Sequence, residues 1–207
     1  MPGKLLPAHH TLADWDFESG SAYRSLSATY YVSAPTSLKI LKPTGSWSEE
    51  VLCRIPATLC LPQGEVRTWF RYKYASYMPC SFRNQKALGS ADHRNCYDVY
   101  LTATTAQLRR FINGGLSVRD STPCVTLTDA WNHYRFFWYN GETPGEVPAL
   151  CVDVYRDVAG EWIKQGSTLY DTSNWYKDSA TNRCGIRPSS YAPNSSYYDD
   201  TEIWGPV

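Results

Sequence analysis

Apolar and polar residues alternate with a period of two along most of this chain, and the three-to-four-residue spacing of an amphipathic helix is scarce. Residues 67–74 show it most clearly. Thr68, Phe70, Tyr72 and Tyr74 share one face, and Arg67, Trp69, Arg71 and Lys73 share the other. Residues 131–140 behave likewise, with Tyr134, Phe136 and Trp138 opposite His133, Arg135, Phe137 and Tyr139. Leu150, Val152 and Val154 oppose Cys151, Asp153 and Tyr155. The same reading predicts strands over residues 37–41, 51–55, 97–103, 108–112, 161–164 and 201–204. Between the runs stand turn signals: Pro43-Thr44-Gly45, Pro62-Gln63-Gly64, Asn113-Gly114-Gly115, Asn140-Gly141 and Ala159-Gly160. Asn113-Gly114-Gly115 predicts a tight hairpin. Many short strands with regular turn punctuation give an antiparallel two-sheet β-sandwich or a barrel.

Composition narrows the partners. The 8 Trp, 16 Tyr and 6 Phe among 207 residues exclude a disordered chain. Twenty basic residues balance twenty acidic ones, so no global field draws the chain onto phosphate, and a nucleic-acid partner is not expected. No apolar run approaches the roughly 18–20 residues of a membrane span. Met1 to His10 lacks the apolar stretch of a secretion signal. No linker or repeat interrupts the chain, and the Ser/Pro/Asn-rich residues 189–196 read as a surface loop. One domain over residues 1–207, with residues 1–12 as an N-terminal arm, is the expected organisation.

Seven cysteines are an odd number, so at least one thiol is unpaired or pairs between chains. There is no Cys-x-x-Cys, which argues against zinc. Cys151, between Leu150 and Val152, reads as a small buried hydrophobe. Cys53–Cys60 and Cys80–Cys96 are candidate disulfides for a protein working outside a reducing cell.

Several strings taken together resemble a known group of folds. Near the start stands Asp14-Trp15-Asp16-Phe17-Glu18-Ser19-Gly20, later followed by Ser37-Leu38-Lys39-Ile40. Trp131-Asn132-His133-Tyr134-Arg135-Phe136 and Leu150-Cys151-Val152-Asp153-Val154-Tyr155 lie in the middle. The chain closes with Tyr197-Tyr198-Asp199-Asp200-Thr201-Glu202-Ile203-Trp204-Gly205. The combination resembles concanavalin A-like jelly rolls: laminin-G-like domains, carbohydrate-binding modules and laminarinase-type sandwiches. The resemblance implies an all-β, jelly-roll sandwich whose first and last strands pair in one sheet. It also implies a structural Ca2+ held by acids of the opening and closing strands, here Asp16, Glu18 and Asp200, with Asp199 as a second choice. The competing role for these carboxylates is capping turns or pairing with a base such as Arg24.

Strand parity then separates core from surface. With Phe70, Tyr72, Val99, Leu101, Tyr134, Phe136, Val152 and Val154 inside, the alternate residues form an outer strip. Trp69, Arg71, Tyr100, His133, Arg135, Asp153 and Tyr155 are its candidate glycan- or partner-binding residues. Lys73, Asp98 and Phe137 fall on the same parity. Sugar rings stack their CH faces on Trp and Tyr, while their hydroxyls need Arg, Asp and His. Trp, Tyr and Arg equally suit a protein interface. A covering loop over residues 77–95 would instead make the strip a second core.

Catalytic signatures are sparse. The E-x-D-x-x-E run of laminarinase-type enzymes is missing, and Asp153 and Asp157, the latter placed at a hairpin turn, are its nearest approach. A polysaccharide lyase could draw on Arg71, His133, Arg135 and Tyr100 for uronate neutralisation and proton transfer. The reading expected from the sequence is a non-catalytic binding or structural jelly roll with a lectin-like face, acting as a virion surface accessory in capsid decoration or a tail. Its partners would be a glycan or neighbouring subunits, as a homo-oligomer or on a shell. The alternative is an extracellular carbohydrate-binding module, a lyase or a glycoside hydrolase.

Overall fold

The computed structural model describes residues 3–6, 12, 15–17, 24–33, 36–42, 51–53, 61–72, 77–85, 95–178, 182–187 and 194–205. These residues are nearly all strand and form two sheets with antiparallel pairing throughout. One nine-stranded sheet runs in the order β13 (Glu161–Lys164), β12 (Pro148–Val158), β11 (Asn132–Glu142), β6 (Gly64–Tyr72), β16 (Asn194–Gly205), β4 (Ser37–Lys42) and β3 (Arg24–Ser27). Two further strands join it: β1 (Gly3–Leu6) pairs with β16, and β14 (Leu169–Asp171) pairs with β12. The seven-stranded sheet runs β10 (Gly115–Pro123), β9 (Thr105–Ile112), β8 (Cys96–Leu101), β7 (Tyr77–Asn84), β15 (Arg183–Arg187), β5 (Val51–Cys53) and β2 (Trp15–Phe17).

The alternation read from the sequence is the alternation of burial. Val66, Thr68, Phe70 and Tyr72 are buried on β6, while Arg67, Trp69 and Arg71 are part-exposed. Lys73 and Tyr74 lie outside the described residues. On β11, Tyr134, Phe136 and Trp138 are buried against the part-exposed His133, Arg135, Phe137 and Tyr139. The two sheets meet through rings. Phe82 of β7 stacks on Trp138 of β11 at 5.1 Å and on Tyr97 of its own sheet at 5.7 Å. Polar groups of the core rings are paired: Trp138 Nε1 donates to the Leu61 carbonyl at 3.2 Å, and the hydroxyls of Tyr72 and Tyr198 bond each other.

Asp171 ties one end of the sandwich together. From β14 it accepts bonds from Tyr97 of β8 at 2.7 Å, Arg110 of β9 at 3.1 Å and Arg119 of β10 at 3.1 Å. Burial alone would raise its pKa, but these donors outweigh that and hold its carboxyl below the ordinary range.

The Asn113-Gly114 hairpin forms between β9 and β10, with φ of 51° and 84° at its two central residues. Ala159-Gly160 makes the equivalent turn between β12 and β13, so Asp157 stands on β12 two residues before it.

Several expectations change. Asn140-Gly141 is not a turn: β11 continues to Glu142. Gly141 is needed because a Cβ there would stand 2.8 Å from Cys151 Sγ. Residues 77–84 are not a covering loop but the central strand β7. Pro79 disguises it in the sequence, and the ladder accommodates that proline with a register shift between Tyr77 and Cys80. Residues 194–196 belong to β16, while residues 189–193 lie outside the described residues. The opening Trp15-Asp16-Phe17 strand does not pair with the closing one. It edges the seven-stranded sheet, and β1, expected as part of an N-terminal arm, pairs with β16 instead. Cys80 and Cys96 are not joined in a disulfide. Cys80 lies opposite Val99 on the core side of its strand and Cys96 opposite Phe111 on the other, so their side chains diverge. Cys60 and the Cys53 side chain lie outside the described residues. Cys151 is buried, as its apolar neighbours suggest.

Candidate functional site

The outer face of the nine-stranded sheet carries an unusual density of rings and guanidinium groups. Its centre is a register pair, His133 of β11 opposite Trp69 of β6, with the two rings stacked at 4.3 Å and 9°. Trp162 of β13 leans on the other side of His133 at 4.6 Å. The imidazole Nδ1 lies 2.9 Å from Asp157 Oδ2, and a carboxylate there assigns the proton to Nδ1. Burial pulls the His133 pKa below its ordinary value even though Asp157 opposes the shift. Asp157 is nudged upward by burial. The bonds from His133 and from the Gly160 N–H, the latter 2.7 Å, nevertheless hold it below the usual carboxylate range.

One register step along stands Arg135, paired across the ladder with Arg67 and Tyr155. Two adjacent guanidinium groups repel, and Glu65 resolves this from the same face of β6. Its carboxylate is fully buried, accepting from Arg135 Nε at 2.7 Å and from Arg67 Nε. Both cations also lie over rings: Arg67 is 4.1 Å from the Trp204 centroid and Arg135 is 5.0 Å from that of Tyr155. Arg71 repeats the motif further along β6. It donates to Asp129 at 2.9 Å and covers Tyr30 at 4.0 Å, and Tyr30 meets Tyr197 edge-on. On β12, Asp153 accepts from Lys164 and Thr168, each at 2.7 Å. Burial would lower the Lys164 pKa, but the bond to Asp153 raises it above the ordinary value.

Six of the seven sequence-derived residues therefore share this strip: Trp69, Arg71, His133, Arg135, Asp153 and Tyr155. Tyr100 does not. It sits on β8, on the outer face of the other sheet, beneath the guanidinium of Arg109 at 4.3 Å, and Arg109 in turn clasps Asp98 with two bonds. The lyase set of Arg71, His133, Arg135 and Tyr100 is thus split between opposite sides of the sandwich. Arg67, which parity puts on this face, belongs among the candidates too, and Glu65, Trp162, Trp204, Tyr30 and Tyr197 are further members that the sequence reading does not name. Parity carried back along β6 would have found Glu65, but only the sheet order shows that β13 and β16 bring their tryptophans to the same surface.

The calcium expectation meets carboxylates that are already engaged. Asp200 accepts from the Ser33 hydroxyl at 2.7 Å, and Asp199 accepts from the Val32 and Ser33 N–H groups at 2.6 and 3.0 Å. Asp16 is on the edge strand of the opposite sheet with its side chain outside the described residues, as is all of Glu18. Among the described residues no cluster of three or more His, Cys, Asp or Glu side chains converges on a metal position, and two of the three expected ligands, Asp16 and Glu18, have their side chains outside those residues.

No family model matches the sequence, and no curated protein resembles it significantly. Solved structures do share its architecture. The carbohydrate-binding module CBM66 from Bacillus subtilis aligns with a TM-score of 0.53 at 10% identity, over 93% of this chain and 96% of that one. A conserved carbohydrate esterase from the Shiga toxin-encoding bacteriophage phi24B aligns over 100% of both chains, with a TM-score of 0.55 at 14% identity. The exoplasmic/lumenal domain of VIP36, in a form bound to Ca2+ and Man3GlcNAc, aligns with a TM-score of 0.53 at 12% identity, over 95% and 87%. The fold is a concanavalin A-like jelly roll. At these identities the likeness establishes the architecture alone. Among the described residues no helix of this jelly roll is long and apolar enough to cross a membrane.

Proposed function

We propose that this jelly roll is a non-catalytic glycan-binding protein displayed on a virus particle, as a capsid decoration or tail-associated protein. Trp69, Arg71, His133, Arg135, Asp153 and Tyr155 form its glycan-binding face. The observation that carries this reading is internal neutralisation of the strip. Arg67 and Arg135 share Glu65, Arg71 pairs with Asp129, Lys164 with Asp153, and Asp157 bonds an uncharged His133, so the four cations of these pairs face four carboxylates. Charges held in this way are spent on fixing rings rather than on attracting a charged partner. What the strip offers is aromatic surface with polar groups at set positions, and that suits sugar rings. The full-length alignment with a bacteriophage carbohydrate esterase supports the virion setting.

Affinity electrophoresis through gels containing polysaccharide tests the face. Trp69→Ala removes the central ring, and loss of a buried aromatic anchor costs about 2 kcal/mol or more, roughly thirtyfold in affinity. Unchanged retention of this variant would overturn the face assignment. The setting is tested by antibody labelling of purified particles, where absence of the protein from the particle surface overturns it.

A further inference from the structure

A second polar constellation lies at the end of the sandwich, away from the strip's centre. Asn140 is seven residues along β11 from His133, roughly 24 Å at the usual rise per strand residue. It borders a pocket of about 510 Å³ whose wall also includes Asn174, Glu142, Lys177, Asp178 and Pro148. That volume falls within the roughly 300–1,000 Å³ of small-molecule sites.

Behind the wall stands Arg83, fully buried and turned to the sandwich end by a left-handed φ of 49°. Its four hydrogen bonds all end on uncharged oxygens. Nε donates to the Pro62 carbonyl at 2.9 Å, and Nη1 to Asn174 Oδ1 at 2.6 Å and to the Trp175 carbonyl at 3.2 Å. Nη2 donates to Asn140 Oδ1 at 2.7 Å. A guanidinium only donates, so both asparagines must turn their oxygens toward it. Their Nδ2 amides are left for the pocket, locked by one buried side chain. Glu142 and Asp178 supply acceptors, and Lys177 lies 3.6 Å from Asp178, which offsets its charge. Fixed amide donors beside carboxylate acceptors match hydroxyl groups, which donate and accept at once. With Lys177 beside Asp178 and the Arg83 guanidinium behind the wall opposite Glu142, the charges around the pocket balance and nothing draws in an anionic sugar. The Pro148 ring gives a CH face an apolar contact.

We propose that this end pocket is a second carbohydrate site, taking one neutral terminal sugar residue. The proposal rests on the glycan-binding reading but on different residues. The experiment is an array of neutral hexose-terminated and uronate-terminated oligosaccharides, probed with wild type, Asn140→Asp, Asn174→Asp, Glu142→Gln and Trp69→Ala. The two Asp variants keep an oxygen for Arg83 and lose the amide donor. Each should fold as wild type does and bind the neutral glycans about tenfold more weakly, the effect of about 1.4 kcal/mol for a lost hydrogen bond. Glu142→Gln, on an exposed side chain with no hydrogen bond or ion pair among the described residues, should weaken the same glycans without any change in melting temperature. Wild-type affinity in all three pocket variants, or a preference for the uronate series, overturns the pocket. Loss in Trp69→Ala alone overturns the pocket and leaves the face reading standing. Loss in the pocket variants alone does the reverse, and no retention on any glycan overturns both.

Discussion

Replacing Glu65 by Gln tests how the outer strip is held. The carboxylate is fully buried and accepts from two guanidinium groups whose side chains are 24% and 25% exposed. Gln retains one acceptor oxygen and turns an NH2 donor toward the second arginine, so one bond becomes a donor–donor contact. Removing one partner of a buried ion pair costs about 3–5 kcal/mol. Here the arginines can recover some hydration, and their stacking on Trp204 and Tyr155 survives, so the lower end, about 3 kcal/mol, is expected. For a chain of this size that is a drop of about 6–12 °C in Tm. Calorimetric melting measures it, and a cycle with Arg135→Gln should return a coupling of about 1–2 kcal/mol between positions 65 and 135. Glycan retention should fall with it, because the arginine left facing the NH2 group loses its hydrogen-bonded position. A Tm drop below about 2 °C would mean that ring stacking alone holds the arginines, and the account of Glu65 as organiser would be wrong.

Acid should destabilise the protein in two stages, since both members of the His133–Asp157 pair have pKa values below their unfolded ones. Stability falls as pH drops from about 6.5, and again through the ordinary carboxylate range near 4, and His133→Gln should flatten the first stage in Tm measured against pH. Gly141→Ala should cost about 1–3 kcal/mol, read by urea unfolding, because the new Cβ meets Cys151 Sγ at 2.8 Å and the Tyr139 ring at 3.0 Å. Cys80, Cys96, Cys124, Cys151 and Cys184 are buried, and burial pushes the Cys80 thiol well up and Cys184 up to about 12. Native protein should therefore expose at most two of its seven thiols to a disulfide reagent, a count checked against the unfolded chain. EDTA should leave Tm unchanged relative to added Ca2+, as Asp199 and Asp200 already accept bonds from residues 32–33.

What alternates in sequence was legible, and what depends on strand neighbours was not. Phe70, Tyr134 and Val152 declare their burial by parity, since a side chain on a strand has only two faces to choose between. Trp69, His133 and Arg135 declare the opposite face in the same way. Parity does not say which sheet a strand joins, and that is why Tyr100 was grouped with residues on the far side of the sandwich. Nor does it identify a partner. Glu65 looks like any surface glutamate until Arg67 and Arg135 are seen closing over it. The end pocket lies further beyond reach, because Arg83, Asn140 and Asn174 come from three distant segments and the φ of Arg83 is a backbone fact with no sequence signal.

The sequence alone determined that this chain is all-β, a sandwich or a barrel, and which residues share a face on its clearest strands, because both follow from a local two-residue period. Tertiary structure decided which aromatic and charged residues face a ligand together, because sheet order and cross-strand register are set by contacts far apart in the chain.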